Sequence, residues 1–447
     1  MANLKALAKD TAIYGLSSIV GRFLNYLLVP LYTNCMPKES GDYGVSVNIY
    51  AYTALALVVL TFGMETTLFR FANKEGEKPD TVFSTAMVVI GVLSSIFLLA
   101  IFGFITPVSK FLGYADHHEY LFMMAAVVVL DALQAIPFSY LRFQKRPIKF
   151  ASLKLLFILF NILLNVIYFI VLEKAEVFYV FCINLWCTGL ITFFFVPDLF
   201  RVKWRFDFSL LKRMLSYSWP ILVLGVAGIL NQTADKIIFP LVYNETDGTA
   251  QLGVYGACVK VAMIMAMITQ AFRYAYEPIV FSKAKEKDSK DYYAHAMKYF
   301  VIFTLLAFLC VVGYMDILKY IIGADYREGL VVVPIVMAAE IMMGIYFNLS
   351  FWYKPLTRRF GVPSSRLQAV WCSLLSMYFS FPNTVIWHAL GAVSQVMLLQ
   401  CCLVILLVKE SIRFNMISRA SSPTSFLLQC CMLQCAASRK RGVVGCV

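Results

Sequence analysis

Ten apolar stretches, each about long enough to cross a lipid bilayer, follow one another along this chain with short connections between them. Lys and Arg crowd every second connection. Such a chain must satisfy its backbone amides inside its own helices, because hydrocarbon offers no partner. It is therefore expected to be all-α and polytopic, with a fixed orientation in the membrane, which excludes most soluble enzyme folds.

The stretches predict helices at about 10–33, 43–69, 81–106, 120–141, 150–172, 176–199, 216–241, 253–276, 297–321 and 328–353. The first is long enough to span and lacks a small-residue cleavage site, so it reads as a helix and not as a removed signal. The basic connections carry Arg70, Lys74 and Lys78; Arg142, Lys145, Arg146 and Lys149; Arg201, Lys203, Arg205, Lys212 and Arg213; Lys283, Lys285, Lys287 and Lys290; and Lys354, Arg358 and Arg359. The intervening ones hold Lys38, Lys110 or Lys174 alone, or no basic residue, as in 243–252; the loop with Lys319 and Arg327 gives the weakest contrast. This asymmetry predicts a cytoplasmic N-terminus.

Hydrophobic residues make up 60% of the 447 and charged ones 15%, against about 25% charged in soluble domains. The formal net charge of +13 sits at helix ends and not along one face, which fits topology and anionic headgroups and not nucleic acid. Of twelve Cys, Cys182, Cys187, Cys258 and Cys310 lie inside apolar stretches, where Cys acts as a small hydrophobe. No Cys/His spacing suits a metal, no G-x-x-x-x-G-K-[ST] holds a nucleotide, and no catalytic constellation is present. His117 and His118 beside Glu119 read as a solvated loop. An enzyme is not expected, nor a cofactor.

An internal repeat is visible. Pro30-Leu31-Tyr32 closes the first helix and Tyr43-Gly44 opens the second; Pro240-Leu241-Val242 closes the seventh and Tyr255-Gly256 opens the eighth. Two pseudo-equivalent helical bundles around a central cavity are expected: residues 1–213 as a six-helix lobe and 214–354 as the first part of a second lobe. From about Pro355 the character changes. Only 384–408 could still span, and Ser411–Val447 mixes Ser, Gln, Cys and Arg without amphipathic order. Codons can be chosen for Ser376–Ala392 so that the neighbouring frame encodes a helix end, an I-P-x-Y-G turn and a small-residue helix start. Residues 355–447 are an atypical tail with two readings, a divergent C-terminus ending in a basic tail or, as is expected, a sequence out of frame from roughly 355–365 onward. Sequencing the gene tests this, and an alternative frame without coding potential would refute it.

The stretch from Tyr14 through Arg22 to Asn25, followed by Val29-Pro30-Leu31-Tyr32, resembles the first helix of bacterial O-antigen and capsule repeat-unit flippases of the multidrug/oligosaccharidyl-lipid/polysaccharide exporter superfamily. Tyr255 to Lys260 and Gln270 to Pro278 resemble the eighth. The resemblance covers about residues 5–354. It implies a two-lobed exporter of twelve to fourteen helices in the bacterial inner membrane, moving undecaprenyl-diphosphate-linked oligosaccharide between leaflets for surface (lipopolysaccharide or capsule) polysaccharide biosynthesis. The implied partners are the lipid-linked oligosaccharide, membrane lipids and the polysaccharide polymerase machinery. If the tail is out of frame, the helices from the eleventh onward are missing from this chain, and transport by it is in question.

An ionisable side chain in a spanning helix costs at least about 2.5–3.5 kcal/mol at the bilayer centre, so each needs a reason. Arg22 and Asn25 lie one turn apart in the first helix, Lys236 in the seventh and Lys260 in the eighth. In the resembling flippases, cations at these places line the cavity, and a guanidinium or ammonium suits a diphosphate. These four are the expected substrate-binding residues. Asp235 and Lys236, being adjacent, are expected to point apart, and the alternative to a substrate contact is that each pairs with a neighbouring helix. Asp131, Asp235 and Glu340 are candidates for coupling to an ion or proton gradient, and Arg273 and Glu277, four apart, for gating or a structural pair. Glu65 and Arg70 read as a similar pair, and Asn161 and Asn165 as hydrogen-bonding between helices. The rival readings are a multidrug or small-cation exporter of the same fold, which should favour acidic cavities, and a membrane glycan polymerase or ligase, which usually needs a longer external loop.

Overall fold

A computed structural model describes residues 26–242, 248–283 and 289–357. Arg22, Asn25 and the tail from residue 358 onward lie outside the described residues.

The helices are α1 (Leu28–Cys35), α2 (Asp42–Thr61), α3 (Met64–Ala72), α4 (Pro79–Gly103), α5 (Ile105–Leu112), α6 (His118–Phe143), α7 (Pro147–Val166), α8 (Val177–Arg201), α9 (Phe208–Val242), α10 (Gly248–Lys283), α11 (Ser289–Gly313) and α12 (Val332–Thr357). A π turn, Ile167–Val171, prolongs α7, and a 3-10 segment, Ala324–Val331, leads into α12. Among the described residues no strand occurs, and nine helical spans are long and apolar enough to cross a membrane. The all-α, multi-pass expectation holds, and each expected helix from the second onward has a helical counterpart, although α9 begins at Phe208 against an expected 216 and α11, Ser289–Gly313, lies eight residues before its expected 297–321.

The second predicted helix is broken. Phe62 and Gly63 both adopt left-handed backbone, φ 49° and 67°, separating α2 from α3. Glycine tolerates that conformation freely and phenylalanine does not. A side chain at Gly63 would also meet Ile221, its Cβ 2.9 Å from Cγ2. Beyond the break, Thr67 and Ser218 share a buried 2.6 Å hydrogen bond that ties α3 to α9.

Two compact units form among the described residues. One holds those up to Ala262 together with Asp316–Val333; the other holds Met263–Met315 and those from Pro334 on. The expected lobes, 1–213 and 214–354, divide the chain by its sequence repeat; the first compact unit, defined by contact, runs to Ala262, inside α10. Within the first unit α9 packs against α2 and α3, far from it in the chain.

In the first unit α6 is the hub, contacting α2, α3, α4, α7 and α8. Its apolar stretch is 56% buried, whereas those of α4 and α7 are 22% buried and present Val92, Leu99, Phe102, Leu159 and Leu163 outward. Outward apolar side chains are what a hydrocarbon surrounding requires. The core between α3, α4, α6 and the start of α9 is built from Leu60, Met64, Leu68, Phe83, Ile90, Ala132, Ile136 and Met214. In the second unit, Phe300 of α11 packs 4.8 Å from Phe272 of α10, and Gly344 of α12 leaves the space that the Phe300 ring and Thr269 fill.

Asn165 accepts a 2.8 Å hydrogen bond from the Tyr32 hydroxyl and donates to the Asn161 carbonyl at 2.7 Å, as the paired asparagines predict. The Glu65–Arg70 expectation is corrected. Five residues are well over one turn, so the two side chains diverge. Glu65 instead pairs with Arg142 of α6 at 3.3 Å, and Arg70 lies over the Tyr217 ring at 4.1 Å.

Candidate functional site

The polar run Gln232-Thr233-Ala234-Asp235-Lys236 interrupts the apolar course of α9. Adjacent side chains on a helix start about 100° apart, yet Asp235 and Lys236 converge. The flexible four-carbon stem of Lys236 folds back until Nζ lies 3.0 Å and 3.2 Å from the two Asp235 oxygens and 3.1 Å from the Gln232 carbonyl. Only 12% of the Asp235 side chain and 20% of that of Lys236 is exposed. The expectation that each finds a partner on another helix holds for Asp235 alone: Tyr255 of α10 donates its hydroxyl to Oδ2 at 2.6 Å. The Phe239 and Tyr255 rings stack beside this bond, centroids 6.1 Å apart.

Lys260 lies on α10, half-buried, close enough to Lys236 for the two ammonium groups to repel. Among the described residues no carboxylate pairs with Lys260. Among the described residues, two cations and one carboxylate thus lie within electrostatic reach on neighbouring helices, with one positive charge in excess among the three. This is the charge balance that an anionic ligand would complete.

The cluster sits beside a tight helix crossing. Asn48 of α2 donates to the Lys236 carbonyl at 2.7 Å and accepts from the Tyr114 hydroxyl at 2.8 Å. One position earlier on α2, Val47 packs against Gly256 of α10. Further along, Gly44 and Gly253 bring the two backbones together: a Cβ on Gly44 would stand 1.7 Å from the Thr249 carbonyl oxygen. The Tyr43-Gly44 and Tyr255-Gly256 pairs of the repeat therefore face each other across one crossing, the close approach that small residues allow in membranes.

Residues 319–331 cover the same end. Gly323 N–H donates to Thr33 Oγ1 at 3.0 Å, and Tyr326 donates to the Met36 carbonyl at 3.0 Å. Tyr326 also meets Tyr43 edge to face at 5.7 Å, and Lys38 pairs with Glu328 at 2.7 Å.

The other expected residues fall elsewhere. Asp131 is half-buried in α6, within electrostatic reach of Lys154 on α7, whose Nζ lies 4.1 Å over the Phe138 ring. Lys154 escapes a sequence reading because it lies one turn beyond the basic connection ending at Lys149; its distance from the helix start at Pro147 is the signal that marks it. Glu340 is half-buried in α12. Arg273 and Glu277 fall on α10, and their side chains lie outside the description. Tyr255, Asn48 and Gln232 were not expected at the site. Tyr255 carried a signal as part of the repeat, and Asn48 as an amide near the start of an otherwise apolar span; Gln232 carried none.

Comparison with proteins of known structure places this geometry. The lipid II flippase MurJ in an inward closed conformation superposes with a TM-score of 0.70 at 15% identity, over 89% of this chain and 87% of that one. A multidrug resistance MATE family transporter of the MOP superfamily, inward-facing, gives 0.64 at 12%, over 93% and 96%. The MATE multidrug transporter DinF-BH gives 0.62 at 16%, over 91% and 95%. These likenesses establish a shared fold. Among curated protein sequences none matches. Residues 39–329 match the family described as polysaccharide biosynthesis protein. That match takes in the broken second helix, the paired glycine crossing and the Asp235–Lys236–Lys260 cluster, and it spans more than half of the sequence; this multi-pass membrane chain belongs to the polysaccharide biosynthesis protein family.

Proposed function

We propose that the protein flips undecaprenyl-diphosphate-linked oligosaccharide repeat units across the bacterial inner membrane for surface polysaccharide biosynthesis. The observation that carries this reading is the presence of Lys236 and Lys260 within each other's electrostatic reach in the span, with one carboxylate, Asp235, engaged on Lys236. A diphosphate supplies the missing negative charge, and charge-assisted hydrogen bonds hold it. Arg22 and Asn25 complete the proposed set from the first helix. The sugar passes through the polar interior while the lipid tail stays in the bilayer, and the protein opens alternately to the two membrane faces. The basic connections support a cytoplasmic N-terminus. Coupling to an ion or proton gradient belongs to the same proposal, with Asp131 and Glu340 as membrane-embedded carboxylates.

The test is translocation of a fluorescent undecaprenyl-diphosphate oligosaccharide in proteoliposomes holding the full chain. One lost charge-assisted contact removes about 1.5–3 kcal/mol, so Lys260→Ala should slow initial flipping roughly tenfold or more at subsaturating lipid. Lys260→Arg should retain most of the rate. Equal rates for wild type and Lys260→Ala would refute the assignment, as would no translocation by wild type. Faster transport of an organic cation than of the diphosphate lipid would favour the drug-exporter reading that the MATE-like fold keeps open.

A further inference from the structure

The ammonium of Lys236 is already engaged. It carries three donors, and three acceptors surround it: the two Asp235 oxygens and the Gln232 carbonyl. A Lys that binds an anion directly would be expected to hold at least one donor toward open space. Here an intrachain carboxylate takes that place, steadied by Tyr255 from the next helix. Lys260, which repels Lys236, has no such carboxylate among the described residues.

A carboxylate and a phosphate present the same feature to an ammonium, a pair of oxygens sharing negative charge. They differ in how far that charge extends. A singly charged phosphodiester, the headgroup type of common anionic phospholipids, carries about the charge of Asp235 and gains little by displacing it. A diphosphate carries more charge over two linked groups. One can replace Asp235 on Lys236 while the other neutralises Lys260, and only that ligand relieves the repulsion between the two lysines as well.

Resting on the flippase reading, we propose that Asp235 is a specificity-determining residue: an internal anion that occupies Lys236, turns away singly charged phospholipid headgroups, and yields to the diphosphate of a lipid-linked substrate. The device suits a site that must select its substrate in a bilayer where singly charged lipids vastly outnumber it. Displaced from Lys236, Asp235 keeps the Tyr255 hydroxyl. Tyr255 adjoins Gly256 at the α2–α10 crossing, and the Lys236 carbonyl receives Asn48 at the same crossing. Occupancy of the phosphate position is thereby linked to the backbone contacts of that crossing.

The experiment measures binding of two probes, inorganic pyrophosphate and dimethyl phosphate, to the purified full-length protein in neutral-lipid nanodiscs by calorimetry. Wild type should prefer pyrophosphate strongly. Asp235→Asn should tighten dimethyl phosphate about tenfold or more and shrink the preference by a similar factor, since a released Lys236 accepts any phosphate. Asp235→Glu, which keeps the charge, should restore the wild-type ratio. Tyr255→Phe, which keeps the Asp235–Lys236 pair but removes its support, should leave the ratio within about threefold. Should Asp235→Asn fail to give monodisperse protein, Asp235→Ser carries the same expectation. An unchanged ratio in the neutral variants, or an equal loss in Tyr255→Phe, overturns the proposal. Failure of the flippase reading looks different: Lys236→Met and Lys260→Met would then bind pyrophosphate as wild type does, or wild type would not bind it.

Discussion

Gly44→Val should eliminate the folded protein from the membrane, and Gly44→Ala should leave it badly destabilised. A Cβ at position 44 would stand 1.7 Å from the Thr249 carbonyl oxygen, 2.7 Å from its carbon and 2.9 Å from the Gly253 nitrogen. These are backbone atoms of α10, so no rotamer change relieves them. Only separation of α2 from α10 would, and that would loosen the Val47–Gly256 contact and strain the Tyr43–Tyr326 pair. In lipid the loss is not offset by burying the helices elsewhere, because helix association there rests on close packing and not on exclusion of water. Overpacking a core typically costs about 1–3 kcal/mol, and a clash fixed by backbone belongs at or above the top of that range. Fluorescence-detected size exclusion and a thermal midpoint measure the effect. Gly91→Ala is the control, since nothing lies within 4 Å of that position; it should change stability by no more than about 0.5 kcal/mol. A Gly44→Ala protein with the midpoint of wild type would show that the α2–α10 crossing is not as close as described.

A disulfide across the same crossing should stop translocation completely and reversibly. The Cβ built on Gly256 lies 3.4 Å from Val47 Cβ, close to the lower end of the roughly 3.5–4.5 Å that disulfides span. The Val47 methyl groups that would obstruct a side chain at 256, the nearer at 2.7 Å, disappear when Val47 becomes Cys. The pair Val47→Cys/Gly256→Cys is best made with the twelve native cysteines replaced by Ser or Ala, because Cys258 lies nearby on α10. If alternating access requires α2 and α10 to part at this end, the oxidised protein should show no flipping above protein-free vesicles. Reduction should return most of the rate. Oxidised protein that flips as fast as reduced would place the moving element elsewhere, while leaving the fold and the family untouched.

Most of the architecture was legible before any coordinates, for a physical reason. A bilayer imposes one length and one composition on every spanning segment and forces backbone hydrogen bonds to close within it. The expected spans from the second onward accordingly appear as helices, and Asn165 bonds Tyr32 on another helix, as expected of the asparagine pair. The Phe62-Gly63 break was not legible. A single glycine in an apolar run carries no obligatory turn, and the left-handed pair exists because α3 must swing to meet Ser218. The exchange of Glu65 from Arg70 to Arg142 has the same origin, a partner supplied by another helix.

At the candidate site, residue chemistry pointed to Lys236, Lys260 and Asp235 because ionisable groups are too costly in a span to be incidental. Their pattern along the chain could say that each needs compensation. It could not say from where. Lys236 folds back on its own neighbour, Tyr255 reaches across from α10, and Lys154 answers Asp131, each decided by side-chain reach and helix crossing. The packing of α9 on α2 was likewise beyond chain order, because the two helices lie far apart in sequence. One-dimensional information set which segments cross the membrane and which charges demand partners. Only three-dimensional packing assigned those partners, since an ion pair and a glycine contact depend on which backbones approach, and that is settled between helices distant in sequence.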